Sequence, residues 1–280
     1  LGELGEKGGW FAIARADDEC CRGEFGDLDF KEGREKETGI AGMAPKKGVN
    51  KDERPAIESN PWKLAGIGDT AGLKALVEHP KDPIDVNAPD AYGCQPIVWA
   101  SRNGYVETMN YILEQGGDIE SSGFGGMRPL HHACNQLRDG VLSRLLELGA
   151  DVNAADDNGN VALHFASERG VLEPIEAIIK AGGNVNSANT NKATPLMKAA
   201  NDGHISVVQK LVKCGADINA QDAKGNSALH IAAANQFKQM VRWMLENGAN
   251  PKLKNKSSKT PAAVAGPLAS LFETDAAQEE

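Results

Sequence analysis

No apolar run in this sequence approaches the roughly 18 residues that a membrane-spanning helix needs, so membrane insertion is not expected. A dense run of Lys and Arg is missing as well. With a net charge of −9, a phosphate backbone finds no obvious footprint, which argues against nucleic acid as the main partner. The opening residues, LGELGEKGGW, have neither the basic start nor the apolar stretch of a secretory signal. Cysteine is sparse and odd in number: Cys20, Cys21, Cys94, Cys134 and Cys214 show no zinc-ligand spacing. Reduced thiols in the cytoplasm, or in the nucleus as well, are the plain expectation, and only the adjacent Cys20 and Cys21 hint at a redox pair.

Catalytic signatures are also wanting. The chain holds no P-loop, no G-x-S-x-G elbow and no dinucleotide fingerprint. The turn DDNG at 156–159 is too short for a calcium loop. His131 and His132 are adjacent rather than at helical ligand spacing, and no Cys or carboxylate cluster accompanies them. The expectation is a protein that is not an enzyme and takes no cofactor and no metal.

What the sequence does have is a period of 33. Gly116, Gly149, Gly182, Gly215 and Gly248 follow it. So do Asn87, Asn153, Asn186 and Asn219, with Glu120 in the skipped place. Pro96, Pro129, Ala162, Pro195, Ala228 and Pro261 form a third series, and His131, His164, Met197 and His230 a fourth. Four residue types do not align at one period by chance. Each unit opens with a polar turn such as DDNG or DAKG. A short apolar helix follows (ALHFASERG, TPLMKAANDG), then a second helix (ISVVQKLVKCG), then an ending such as GADVN or GADIN. Helices this short are marginal alone and gain stability by stacking on the next unit. Pro suits the first helical position, and the Gly after the second helix permits the left-handed turn that ends it.

The segments RPLHHAC, ATPLMKAA, SALHIAAA and GADVNA resemble the ankyrin-repeat family, whose core pattern is T-P-L-H-x-A-A. About five repeats run in phase from 88 to 251, an opening repeat occupies 60–87, and a partial closing repeat begins near 252. The fold that this resemblance implies is all-α: a solenoid of stacked helix pairs with β-hairpin fingers, about six repeats plus a partial C-terminal cap. The repeat domain is placed at 58–273, followed by an acidic, disordered tail at 274–280. In the family the motif Thr and His hydrogen-bond within the turn. His230 keeps Ser227 as a hydroxyl partner, whereas His131 faces Arg128, His164 faces Val161, and Met197 replaces the His. The resemblance also suggests Asn153, Asn186 and Asn219 as acceptors of asparagine hydroxylation.

Residues 1–57 do not follow the period and read either as a flexible segment or as a partial Src-homology-3-like one. GGWFAIAR resembles the tryptophan-bearing strand of that family, and GIAGMAPKKGV its closing strand and turn, with Gly48 where a ligand-contacting tyrosine is usual. Such a segment followed by ankyrin repeats resembles adaptors of the osteoclast-stimulating-factor type.

Ankyrin arrays bind through finger tips and the exposed side of the first helices, because the stacked core fixes the remaining positions. That phase nominates Tyr92, Cys94, Phe124 and Met127 at the tips. Trp99, His132 and Phe165, each 33 apart, form a ring series on the groove side. Arg102, Asn103, Asn135, Glu168 and Arg169 stand at the ends of the first helices. The expected function is a monomeric adaptor or scaffold for a protein partner. The alternative is a regulatory or substrate-targeting fragment of a larger multidomain enzyme such as a ubiquitin ligase or kinase.

Overall fold

A computed structural model describes residues 60–272. The readings of residues 1–57, of the Cys20–Cys21 pair and of the tail at 274–280 lie outside the described residues.

Six helix pairs follow one another along the described chain: α1 (Pro61–Ile67) with α2 (Thr70–Val77), α3 (Pro96–Asn103) with α4 (Val106–Glu114), α5 (Pro129–Asn135) with α6 (Asp139–Glu147), α7 (Ala162–Arg169) with α8 (Leu172–Lys180), α9 (Pro195–Asn201) with α10 (Ile205–Lys213), and α11 (Ala228–Ala234) with α12 (Lys238–Glu246). A short α13 (Pro261–Val264) and a 3₁₀ turn over Gly266–Phe272 close the array. Proline opens α1, α3, α5, α9 and α13. The Asn60 side chain caps α1 by accepting from the Lys63 N–H, and Thr194 and Thr260 cap α9 and α13 in the same way.

The period of 33 is also the period of the core. Ile97, Leu130, Leu163, Leu196 and Leu229 are buried on successive first helices. Ala100, Ala133, Ala166, Ala199 and Ala232 lie one turn on and are fully buried. The second helices contribute Met109, Leu142, Ile175, Val208 and Val241, and then Ile112, Leu145, Ile178, Leu211 and Met244. Burying each of the large side chains stabilises the stack by about 1.5–3 kcal/mol. First helices pack on first helices and second on second. Because the first-helix contact is lined by alanine, that layer packs more closely than the second-helix layer.

Ends are sealed by the same chemistry. At the C-terminal end, Leu268, Leu271 and Phe272 lie against the core, and the Gln236 side chain donates to the Ala265 carbonyl at 2.7 Å. At the other end, the Trp62 indole donates to the Ala88 carbonyl at 2.9 Å.

The fingers are present, but as turns: among the described residues none contains a regular strand. Their shape comes from a side chain instead of a ladder. Asp90, Asp156, Asn189, Asp222 and Asn255 each accept, through one Oδ1, the backbone N–H groups two and four residues on, at 2.7–3.0 Å. This folded-back Asx turn takes the N–H groups that a strand pairing would use. The second finger has Gly123 at that position, with no side chain to do this. It closes through a 3₁₀ turn over Phe124–Gly126, with Gly125 and Gly126 at φ 68° and 71°, and Gly123 donates to the Met127 carbonyl at 2.9 Å. FGGM is therefore the sequence of a finger built without its aspartate.

Candidate functional site

The surface that the repeats offer to a partner is held in place by three ladders. The first is the asparagine series. Asn87, Asn153, Asn186 and Asn219 each accept, through Oδ1, a backbone N–H 31 residues on, at 2.8–3.0 Å. Each also donates, through Nδ2, to a glycine carbonyl 29 residues on, at 3.0–3.2 Å. One carboxamide thus clamps the end of one repeat to the end of the next. Glu120, in the skipped place, keeps half of the clamp by accepting from the Asp151 N–H at 2.8 Å. Having no donor, it cannot reach a glycine carbonyl, and its second oxygen pairs with Arg128 at 2.6 Å.

The second ladder is histidine. The absence of a hydroxyl beside His131 and His164 puts the turn bond in question at those repeats, yet the structure keeps it by another donor. His131 Nδ1 accepts the Arg128 backbone N–H at 3.0 Å, and His164 Nδ1 accepts that of Val161 at 3.1 Å. His230 Nδ1 accepts the Ser227 N–H at 3.2 Å and its hydroxyl at 2.9 Å. The proton then belongs on Nε2, which donates to the carbonyls of Ala154, Ala193 and Lys259 at 2.9–3.1 Å. Burial lowers all three imidazole pKa values, that of His164 to about 4. The histidines are neutral staples between turns.

The third ladder tightens the tips. Asp157 N donates to Gly125 O, Thr190 N to Asn158 O, Ala223 N to Asn191 O and Lys256 N to Lys224 O, each at 2.8–2.9 Å. From Gly125 to Lys256 the fingers form one connected row.

Against this frame the nominated residues separate. Tyr92 and Phe124 are exposed, 41% and 51%, on neighbouring tips. Asn103 and Arg169 are exposed, and Arg102, Asn135 and Glu168 half-buried, at the ends of α3, α5 and α7. Several bridge repeats: Asn103 donates to the Gly66 carbonyl, Arg169 to Asn135 at 3.0 Å, and Lys198 to Glu168 at 3.0 Å. Cys94, Met127 and His132 turn inward and are corrected to core positions, 5–6% exposed. Cys94 is pulled in because its own N–H is held by Asp90 and its sulfur receives the Phe124 N–H at 3.4 Å. Ala193, in the fourth finger, is buried as well.

The ring series at Trp99, His132 and Phe165 is not an exposed aromatic ladder. The Trp99 indole donates to Asp90 Oδ2 at 2.8 Å, which fixes it to the base of the first finger. Phe165 lies against the His131 ring, centroids 5.5 Å apart at 47°. His132 is buried with neither ring nitrogen partnered among the described residues, and burial, with Arg102 and His131 nearby, lowers its pKa to about 3. Trp99 and Phe165 stay half-buried. The Asx series and the tip row escape a reading by residue identity because Asp and Asn alternate in it and position 123 breaks it. Tested as one class at a period of 33, Asp156, Asn189, Asp222 and Asn255 do stand out.

Comparison with known proteins agrees with this architecture. A family model described as ankyrin repeats in three copies matches residues 163–255, and one described as ankyrin repeats in many copies matches 130–179. The ankyrin repeat and KH domain-containing protein mask-1 of Caenorhabditis elegans is 38% identical over 71 residues, a quarter of this chain and 2% of that protein's length. The ankyrin repeat domain of human ASB11 superposes with a TM-score of 0.65 at 25% identity, covering 75% of this chain and 92% of that one. That of Bcl-3, described as a unique member of the IkappaB protein family, superposes with a TM-score of 0.64 at 24% identity, covering 73% and 92%. The 33-residue period, the alanine-lined first helices and these matches agree: the chain carries ankyrin repeats, and residues 60–272 form an ankyrin-repeat solenoid.

Proposed function

We propose that this array is an adaptor or scaffold that holds a partner protein along the groove of first helices and finger tips. The observation that carries the reading is the pair of exposed rings, Tyr92 and Phe124, on adjacent tips of an otherwise interlocked stack. A folded chain gains nothing from such rings in water, whereas aromatic anchors dominate interface energetics. Rigid tips also reduce the ordering that binding must impose. The same reading takes the protein as non-catalytic, monomeric and resident in the cytoplasm, entering the nucleus too. Burial of Cys134, whose thiol pKa is raised by desolvation, supports a thiol used for packing. The Src-homology-3-like stretches within residues 1–57 support a second recognition module of the osteoclast-stimulating-factor type.

Affinity capture with mass spectrometry identifies the partner, and calorimetric titration tests the site. Phe124→Ala should weaken binding by about 1–3 kcal/mol while leaving the melting temperature unchanged. Undiminished affinity in Phe124→Ala and in Asn103→Ala together would move the site off this surface. A large loss of stability would make Phe124 a packing residue.

A further inference from the structure

The charges of the array are divided between its two ends. Residues 60–204 carry eleven Lys and Arg against eighteen Asp and Glu, whereas residues 205–260 carry nine against three. Lys74, Arg128, Arg144, Lys198 and Lys210 are each paired with a Glu, and no basic side chain beyond Lys210 has an ion-pair partner among the described residues.

In the sequence these lysines are scattered, and the fold gathers them. Lys192, Lys224 and Lys256 stand 32 residues apart, one on each of the last three fingers, and all three are exposed. The tip bonds from Ala223 to Asn191 and from Lys256 to Lys224, at 2.8 and 2.9 Å, hold their backbones side by side. Lys254 and Lys259 flank the last tip, and both are exposed. Like charges fixed this close repel one another and oppose folding, so the arrangement is one that an anionic partner relieves. At the other end of the row stands Phe124, on a finger linked to the next by the bond from Asp157 to Gly125. The edge therefore runs from apolar to basic.

We propose that the finger row recognises an extended acidic peptide segment, its carboxylates over Lys192, Lys224 and Lys256 and an apolar side chain against Phe124. This rests on the reading of the array as a protein-binding surface and adds the chemistry and polarity of the partner. Stacked repeats advance by about 10 Å, so Phe124 and Lys224, three repeats apart, are about 30 Å apart along the row. An extended chain covers that in about nine residues at ~3.4 Å each. The basic stretch spans only three fingers and is followed by repeats of net negative charge. That length suits a short run of carboxylates and opposes a nucleic acid, whose phosphates continue past it.

A random 16-residue peptide display library selects against the full chain and, in parallel, against a Lys224→Glu/Lys256→Glu variant and a Phe124→Ser variant, each first shown to melt as the parent does. The expected binders are enriched in Asp and Glu, with an apolar residue about nine positions away. The charge reversal should weaken them about ten-fold at 50 mM salt and only about three-fold at 500 mM. Phe124→Ser should weaken them equally at both salt concentrations. Binders without acidic enrichment that are lost with Phe124→Ser overturn the proposal and leave the groove reading standing. Binders indifferent to both variants overturn both readings. Failure to enrich any peptide overturns the acidic-segment proposal. Displacement of the selected peptides by a 20-nucleotide single-stranded DNA more effectively than by the peptides themselves overturns it in favour of nucleic acid.

Discussion

Lowering the pH from 7.5 to 5 should destabilise the array through its buried histidines. His132 and His164 are neutral when folded, with pKa values lowered to about 3 and about 4. In the unfolded chain both return to about 6.5. The unfolded chain therefore takes up protons first. Stability is undiminished above pH 6.5, falls between 6.5 and the folded-state values, and levels off below them. At pH 5 each site lies about 1.5 units below its unfolded value, so each removes about 2 kcal/mol at ~1.36 kcal/mol per unit. His131 and His230, also lowered, act in the same direction. A loss of about 4 kcal/mol corresponds to a melting temperature lower by about 8–16 °C in a domain of this size. The two sites resist protonation for different reasons. At His164, Nδ1 already receives the Val161 N–H, and a proton there would face another donor. At His132 neither nitrogen has a partner among the described residues. His132→Leu isolates the effect, because other titrating groups are common to variant and parent. Urea unfolding followed by circular dichroism, repeated every half pH unit, gives the slope. The variant should be at least as stable as the parent at pH 7.5, since it leaves no buried polar atom unsatisfied. It should lose about 2 kcal/mol less than the parent on going to pH 5. Identical slopes for the two proteins would refute the argument.

Three further substitutions test how the repeats are held. Asn186→Ala removes both bonds of one clamp, to Asp217 N and Gly215 O, and should cost about 1–2 kcal/mol by urea unfolding; an unchanged midpoint would show that water replaces the clamp. Leu137, at φ 54°, occupies the place where three other repeats have the left-handed Gly104, Gly170 and Gly203, so Leu137→Gly should raise the melting temperature, the relieved strain being about 1 kcal/mol. Gly170→Ala should lower it, because a Cβ there would lie 2.4 Å from the His204 ring.

The 33-residue period by itself determined the repeat, the number of helix pairs and the core. A solenoid repeats one local solution, so equivalent positions such as Leu130, Leu163 and Leu196 share one environment. Proline and glycine marked helix starts and ends for the same local reason. Which side chains face a partner was not decided locally. Cys94, Met127 and His132 lie at tip or groove positions and yet are buried, Cys94 receiving the Phe124 N–H from the next finger. His131 and His164 kept their role without the expected hydroxyl, because a backbone N–H is available whatever the residue at that position. The basic edge is likewise a product of the stack. Lysines 32 residues apart carry no signal along the chain, and only the bonds between finger tips bring Lys192, Lys224 and Lys256 into one row. A period identifies equivalent positions, and contacts between repeats then decide what each position does.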